Sequence, residues 1–249
     1  MAHAIQKALP NESMIYFGDT AHLPYGDKSA AAIQAYSIKI ADVLLKMNCK
    51  VIVIACNSAS SAATELLKEY VGKRAHIINV IDPMVSLVVN KFCGKRVGLI
   101  GTKRTVQSNV YAQKLHALDN SITLQQLATP LLVHMIEEGF FDNRISHDII
   151  AQYLNDPVLE GIDSLILACT HYPLIKKEIG DFYKQQINVL DSSEEVAESL
   201  RKYLVENDLL NKTKPQHKFL VSDYTDSFEA STRLFFGEVV HLEKHRLWE

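Results

Sequence analysis

Two cysteines, Cys56 and Cys169, occupy the same position in two similar stretches. Val51-Ile52-Val53-Ile54 runs into Ala55-Cys56-Asn57-Ser58, and Leu165-Ile166-Leu167 runs into Ala168-Cys169-Thr170-His171. An apolar run that stops abruptly at small polar residues reads as a buried parallel strand, with the cysteine delivered at its C-terminal end. Ligands of open α/β sheets bind just beyond those ends, so both thiols are expected to border one cleft. Two facing thiols suit proton transfer across a stereocentre. A thiolate takes the proton from one face of the carbon, and a thiol returns one to the other face. A helix starting after each cysteine would present free N–H groups and a positive dipole end. That field holds a carboxylate, favours thiolate, and stabilises the charge of a carbanion formed beside the carboxylate. Asn57, Ser58 and Thr170 add hydrogen-bonding groups, with Asn57 or Ser58 expected to cap the helix after Cys56.

The elements that position these residues follow from periodicity. Ala2–Leu9 reads as a short helix, Met14–Phe17 as a strand, and Gly18 through Gly26 as a loop. Ser29 is placed to cap a long helix reaching about Asn48, with Ile33, Ile40, Val43 and Leu44 on its buried side. A helix over Ala59–Tyr70 follows the first cysteine strand, then a strand over Ile77–Ile81. Asp82-Pro83 opens the next helix as N-cap and first helical residue. Arg96–Gly101 is a strand, followed by a helical stretch from Thr102 to about Leu118. Ile122–Leu127 alternates as a strand, and Pro130–Glu138 and Ser146–Leu154 read as helices. After the second cysteine strand, Pro173–Tyr183 reads as a helix, Val189-Leu190 as a short strand and Glu194–Asn207 as a helix. A strand at Phe219–Ser222, a helix over Asp226–Phe235 and a strand at Val239–Leu242 complete the chain. Strands alternating with helices imply a doubly wound α/β fold with parallel sheets.

Composition narrows the function. A net charge of −3 lacks the basic excess of a nucleic-acid-binding surface, so no nucleic-acid partner is expected. No apolar run approaches the roughly 20 residues of a membrane span, and the start of the chain lacks a signal-peptide pattern. The four cysteines, none in a CxxC pair, fit reduced thiols, and the expectation is a cytoplasmic protein without membrane association. No Gly-rich phosphate loop or metal-ligand spacing is present, so neither cofactor nor metal is expected. Cys49 and Cys93 have no polar cluster after them and read as ordinary small apolar residues. His171 is open between a structural hydrogen bond and a proton partner for Cys169. Tyr25-Gly26 reads on its own as a turn, Glu137-Glu138 as a solvated helix end, and His22 and His134 take no role from spacing.

ACNSAS at 55–60 and ACTHYP at 168–173 resemble the two catalytic cysteine motifs of the glutamate racemases, within the cofactor-independent aspartate/glutamate racemase superfamily. YFGDTAHLPYGDKS at 16–29 is similar to that family's substrate loop. LIGTKRTVQSNVY at 99–111 and PLLVHMIEEG at 130–139 match further blocks in order. The resemblance covers nearly the whole chain. It implies two α/β domains related by pseudo-twofold symmetry, 1–95 plus 212–249 and 96–211, with the active site between them. It also implies interconversion of L- and D-glutamate without a cofactor, supplying D-glutamate for peptidoglycan, with a homodimer usual. By position, Cys56 and Cys169 become the acid/bases. Tyr25, Gly26, Asn57, Ser58, Thr170 and His171 become substrate contacts, and His171 also assists Cys169.

The family pattern differs in three places. Ser58 stands where Thr is usual and keeps the hydroxyl, and His134 stands where Pro is usual. The family also begins with a strand leading into an Asp-Ser-Gly-x-Gly-Gly loop ahead of a helix like Ala2–Leu9. There the Asp assists the first cysteine and the Ser contacts substrate. Met1 falls inside the counterpart of that helix, and the expectation is that the first domain lacks core as well as chemistry at that point. The alternatives to an active glutamate racemase are a racemase of aspartate or another small carboxylic acid, and a catalytically impaired binding protein.

Overall fold

The computed structural model describes residues 1–224, 232, 236 and 240–248. In chain order its elements are α1 (Ala2–Ala8), β1 (Met14–Gly18), α2 (Ala30–Lys46), β2 (Val51–Ile54), α3 (Asn57–Val71), β3 (His76–Asn79), α4 (Ile81–Lys91) and β4 (Arg96–Gly101). They continue as α5 (Lys103–Ser108), α6 (Val110–Leu118), β5 (Thr123–Ala128), α7 (Pro130–Glu137), α8 (Arg144–Leu154) and β6 (Ser164–Ala168). The last are α9 (Lys176–Phe182), β7 (Asn188–Leu190), α10 (Ser193–Glu206), β8 (His217–Val221) and β9 (Leu242–Lys244).

All pairings among these strands are parallel. One sheet has the order β5-β4-β6-β7, so its connections reverse direction between β4 and β6, which places a ligand crevice beyond the ends of those two strands. The other strands form two shorter sheets, β1-β8-β9 and β2-β3. Helices cover both faces of β6, which is buried at all of its positions, as its unbroken apolar run requires. A second apolar core joins α2 and α3 to β2 through Ile33, Leu44, Ile52, Ile54 and Leu67. The helices that flank the two groups of strands also share a core. Val85 and Val88 of α4 meet Leu200 and Leu204 of α10 and Leu99 of β4.

The local sequence accounts for most element boundaries. Ser29 caps α2 by accepting the Ala32 N–H at 3.2 Å, and Asn143 and Ser146 form a reciprocal capping box at the start of α8. Four expectations are corrected. The helix after Thr102 is two helices, because Asn109 adopts a left-handed conformation (φ 55°) that an asparagine tolerates. The helix at Asp82-Pro83 starts earlier, at Ile81, because the Asn79 side-chain carbonyl accepts the Ile81 and Asp82 amides at 2.8 and 2.9 Å. Pro173 lies in a 3-10 turn (Tyr172–Ile175), and the α-helix begins only at Lys176. The final strand lies at Leu242–Lys244 rather than Val239–Leu242. The helix expected over Asp226–Phe235 falls almost entirely outside the described residues.

Candidate active site

Cys56 and Cys169 line one cavity of about 690 Å³. Each closes an apolar strand, β2 and β6 respectively, and the two are near enough for charge on Cys169 to raise the pKa of Cys56. All the residues singled out around them, Tyr25, Gly26, Asn57, Ser58, Thr170 and His171, line the same cavity.

At the first thiol, the expected cap is corrected. Cys56 itself is the N-cap of α3, while Asn57 and Ser58 lie buried in its first turn. Asn57 Oδ1 accepts from the Tyr111 hydroxyl at 2.7 Å, and Ser58 Oγ lies 2.8 Å from Thr102 Oγ1, itself the cap of α5. The hydroxyl of Ser58 thus ties the end of β2 to the end of β4. The expected lowering of the Cys56 pKa by the helix start is also corrected. Burial raises it to about 11, outweighing the Ala59 and Ser58 amides that favour the thiolate, and Cys169 adds to the rise. Cys56 is therefore a thiol at neutral pH.

The loop after β1 is held by a carboxylate that sequence reasoning missed. Asp19 is buried and accepts from Tyr25 Oη at 2.5 Å, from Ser222 Oγ at 2.7 Å and from His22 Nδ1 at 2.7 Å. Burial and the hydrogen bond to Asp19 raise the Tyr25 pKa far above the ordinary phenol range, with charge on Asp19 and Cys56 contributing. The Tyr25 ring therefore stays protonated, with its hydroxyl aimed at Asp19 and away from proton exchange. Next to it, a Cβ on Gly26 would stand 2.8 Å from Thr102 Cβ, so only glycine lets the loop settle onto the start of α5. Tyr25→Phe leaves Asp19 Oδ2 without its donor, and is expected to cost about 1–3 kcal/mol of stability in urea unfolding. Unchanged stability would show that the loop does not depend on this bond.

At the second thiol, Cys169 Sγ is 3.7 Å from His171 Nδ1, and His171 Nε2 is 3.2 Å from Glu137 Oε1. His171 thus lies between the Cys169 sulfur and the Glu137 carboxylate, with one ring nitrogen toward each. Burial pulls the imidazole pKa down, but hydrogen bonds to Cys169 and Glu137 and their negative charge outweigh it and bring it to about 10. Glu137, expected as a solvated helix end, instead faces the cavity from the last turn of α7. The helix start expected after Cys169 is a single 3-10 turn capped by His171, so imidazolium rather than a helix dipole supplies the positive field here. Beneath the thiol, the Tyr172 hydroxyl is 2.7 Å from Thr129 Oγ1 in a fully buried pair.

His134 also lines the cavity, one helical turn before Glu137. Cys49 is half-buried and lines the same cavity just before the start of β2, away from the C-terminal strand ends, and Cys93 is exposed beside Ser121, outside the cavity lining. Among the described residues one group has metal-ligand spacing, Asp142, His147 and Glu178, and it lies outside the cavity lining. The arrangement offers a protonated thiol on one side and a thiol with an imidazolium–carboxylate pair on the other. That pairing can take a proton from one face of a carbon acid and deliver one to the opposite face.

The family model described as Asp/Glu/Hydantoin racemase matches residues 1–200. Glutamate racemase of Persephonella marina is 39% identical over 243 residues, 98% of this chain and 91% of that protein. Glutamate racemase of Geobacter metallireducens is 37% identical over 235 residues, 94% of this chain and 86% of that protein. The crystal structure of Francisella tularensis glutamate racemase in complex with D-glutamate superposes with a TM-score of 0.91 at 37% identity, covering 99% of this chain and 92% of that one. On these likenesses, with both thiols in one cavity, the chain belongs to the Asp/Glu/Hydantoin racemase family.

Proposed function

We propose that this chain interconverts L- and D-glutamate by moving the α-proton between two thiols. The observation that carries the reading is the pair of strand-end cysteines on one cavity, close enough to influence each other's charge. In one direction the sulfur of Cys169, assisted by His171, takes the α-proton. The electron pair left on Cα delocalises onto the substrate carboxylate, and Cys56 donates its thiol proton to the opposite face. The reverse direction exchanges the roles, and nothing is consumed. The carboxylate charge grows in the intermediate, and hydroxyl and amide donors at Asn57, Ser58 and Thr170 are placed along the cavity to stabilise it. Tyr25 and Gly26 close the site from the loop after β1.

On this reading the chain divides into domains 1–95 plus 212–249 and 96–211, with the substrate between them; the separation of the β5-β4-β6-β7 sheet from the two shorter sheets supports that division. Among the described residues no helix is long and apolar enough to cross a membrane, and the reading places the enzyme in the cytoplasm, as a homodimer, making D-glutamate for peptidoglycan. Circular dichroism with a panel of substrates tests the substrate assignment. Both L- and D-glutamate are expected to lose their signal with time, and L-aspartate to keep it. Loss with aspartate alone would replace glutamate by the shorter diacid, and loss with neither would leave a binding protein.

A further inference from the structure

We propose that Tyr111 is a positioning residue for the reaction: its hydroxyl fixes the Asn57 side-chain amide in the orientation that turns both N–H groups toward the cavity, as donors for a carboxylate oxygen. The inference deepens the glutamate reading and rests on Asn57 as a substrate contact.

The bond joins two helices that belong to different strands. Asn57 opens α3, directly after the strand end that carries Cys56. Tyr111 is the second residue of α6, which starts where the left-handed Asn109 breaks the helical stretch after β4. The ring is 1% exposed and shares an apolar core with Leu115 of its own helix and with Val85 and Val88 of α4. One turn further along α6, Lys114 pairs with Asp82 of α4 at 2.8 Å and ties the two helices together. The phenol is thus set in place by packing that owes nothing to the cavity. Its hydroxyl reaches Asn57 Oδ1 at 2.7 Å.

An asparagine amide fits the same space either way round, with Oδ1 and Nδ2 exchanged. Tyr111 decides between the two. Burial and the charge of Asp82 hold its pKa well above the ordinary phenol range, so it always carries a proton to donate. With Oδ1 toward Tyr111 that proton is paired. In the reverse orientation Nδ2 would donate to the phenol oxygen, and the buried hydroxyl proton would have no other acceptor among the described residues. Asn57 lines the cavity and Tyr111 does not, so the end of the amide turned from Tyr111 is the cavity end. Nδ2 makes no hydrogen bond to the described residues, although Asn57 is only 2% exposed. Two N–H donors are therefore held beside Cys56. The reversed amide would present its carbonyl oxygen there and repel a carboxylate.

Tyr111→Phe removes the hydroxyl and keeps the ring. It is expected to lower kcat/KM roughly tenfold for L- and D-glutamate alike, the factor set by a weakened hydrogen bond to a charged group. In an Asn57→Ala background the same substitution should change kcat/KM by less than about twofold, because the hydroxyl acts only through Asn57. An unchanged kcat/KM in the single variant would overturn the proposal. So would an equal tenfold loss in both backgrounds, which would make Tyr111 a support of the fold alone. A second measurement needs neither substrate nor variant. With asparagine labelled by ¹⁵N, the two Asn57 Nδ2 protons of the ligand-free protein are expected to exchange with water at rates within a few-fold of each other. Protection of one of them at least about tenfold over the other would show it bonded to Tyr111, and would overturn the assigned orientation. An inactive protein with two equally exchanging protons refutes the glutamate reading and not the orientation of the amide.

Discussion

Cys56→Ser is expected to lower kcat for glutamate racemisation by roughly 10²–10⁴-fold, and Cys169→Ser by a similar factor. Serine preserves the size and hydrogen bonding of the site, but its hydroxyl does not ionise in the working pH range. Each thiol serves one face of the substrate, so losing either breaks the relay, and the double substitution costs little more than one. Cys49→Ser and Cys93→Ser, away from the strand ends, leave turnover unchanged. The two damaging variants differ in a second readout. With Cys56 replaced, Cys169 still exchanges the α-proton of the enantiomer facing it, and solvent deuterium enters that enantiomer with retention. Cys169→Ser shows the mirror pattern. Wild-type turnover in either variant, or washout of the same enantiomer in both, would remove the two-thiol assignment.

The two thiols were legible in sequence because their placement is a local property. A β-branched run followed by Cys and small polar residues specifies a strand, its end and the residue delivered there, and β2 and β6 both end where the pattern stops. The partners of those thiols were not legible. Glu137 meets His171 because α7 and the turn after β6 meet in space, and nothing near Glu137 separates it from a solvated helix end. Asp19 gathers donors three, six and 203 residues away. A strand-end Asp beside a Tyr-containing loop was the available signal, and it is ambiguous without the fold.

The sign of the Cys56 shift needed the structure for a different reason. A helix start is visible in sequence and favours thiolate, whereas the depth of the thiol is set by packing around it. Here burial is the larger effect, so Cys56 rests protonated. The lost helix field at Cys169 has the same origin. Pro173 at the first positions of a 3-10 turn postpones α9 to Lys176, and the field passes to His171.

That transfer gives His171→Asn two expected signatures. The first is in stability. The imidazole pKa rises from an ordinary 6.5 to about 10 in the folded state. The protonated ring therefore stabilises the fold fully below about pH 6.5, and that stabilisation, roughly a few kcal/mol at most, fades as pH rises through 10. The difference in melting temperature between wild type and variant should be largest near pH 6 and shrink toward pH 10. A difference that grows with pH would reverse the assignment of charge. The second signature is catalytic. With an imidazolium 3.7 Å from Cys169 Sγ that keeps its proton until about pH 10, the wild-type rate should stay flat from about pH 7 to 9. Asparagine removes that positive charge and its contact with the sulfur, so the variant should lose roughly 10²-fold at pH 7. Enantiomers have equal free energy, so kcat/KM must fall equally in both directions. The asymmetry belongs in deuterium washout, which should slow for the enantiomer facing Cys169 and hold for the one facing Cys56. Equal slowing of both would mean that His171 holds the site together without assisting one thiol.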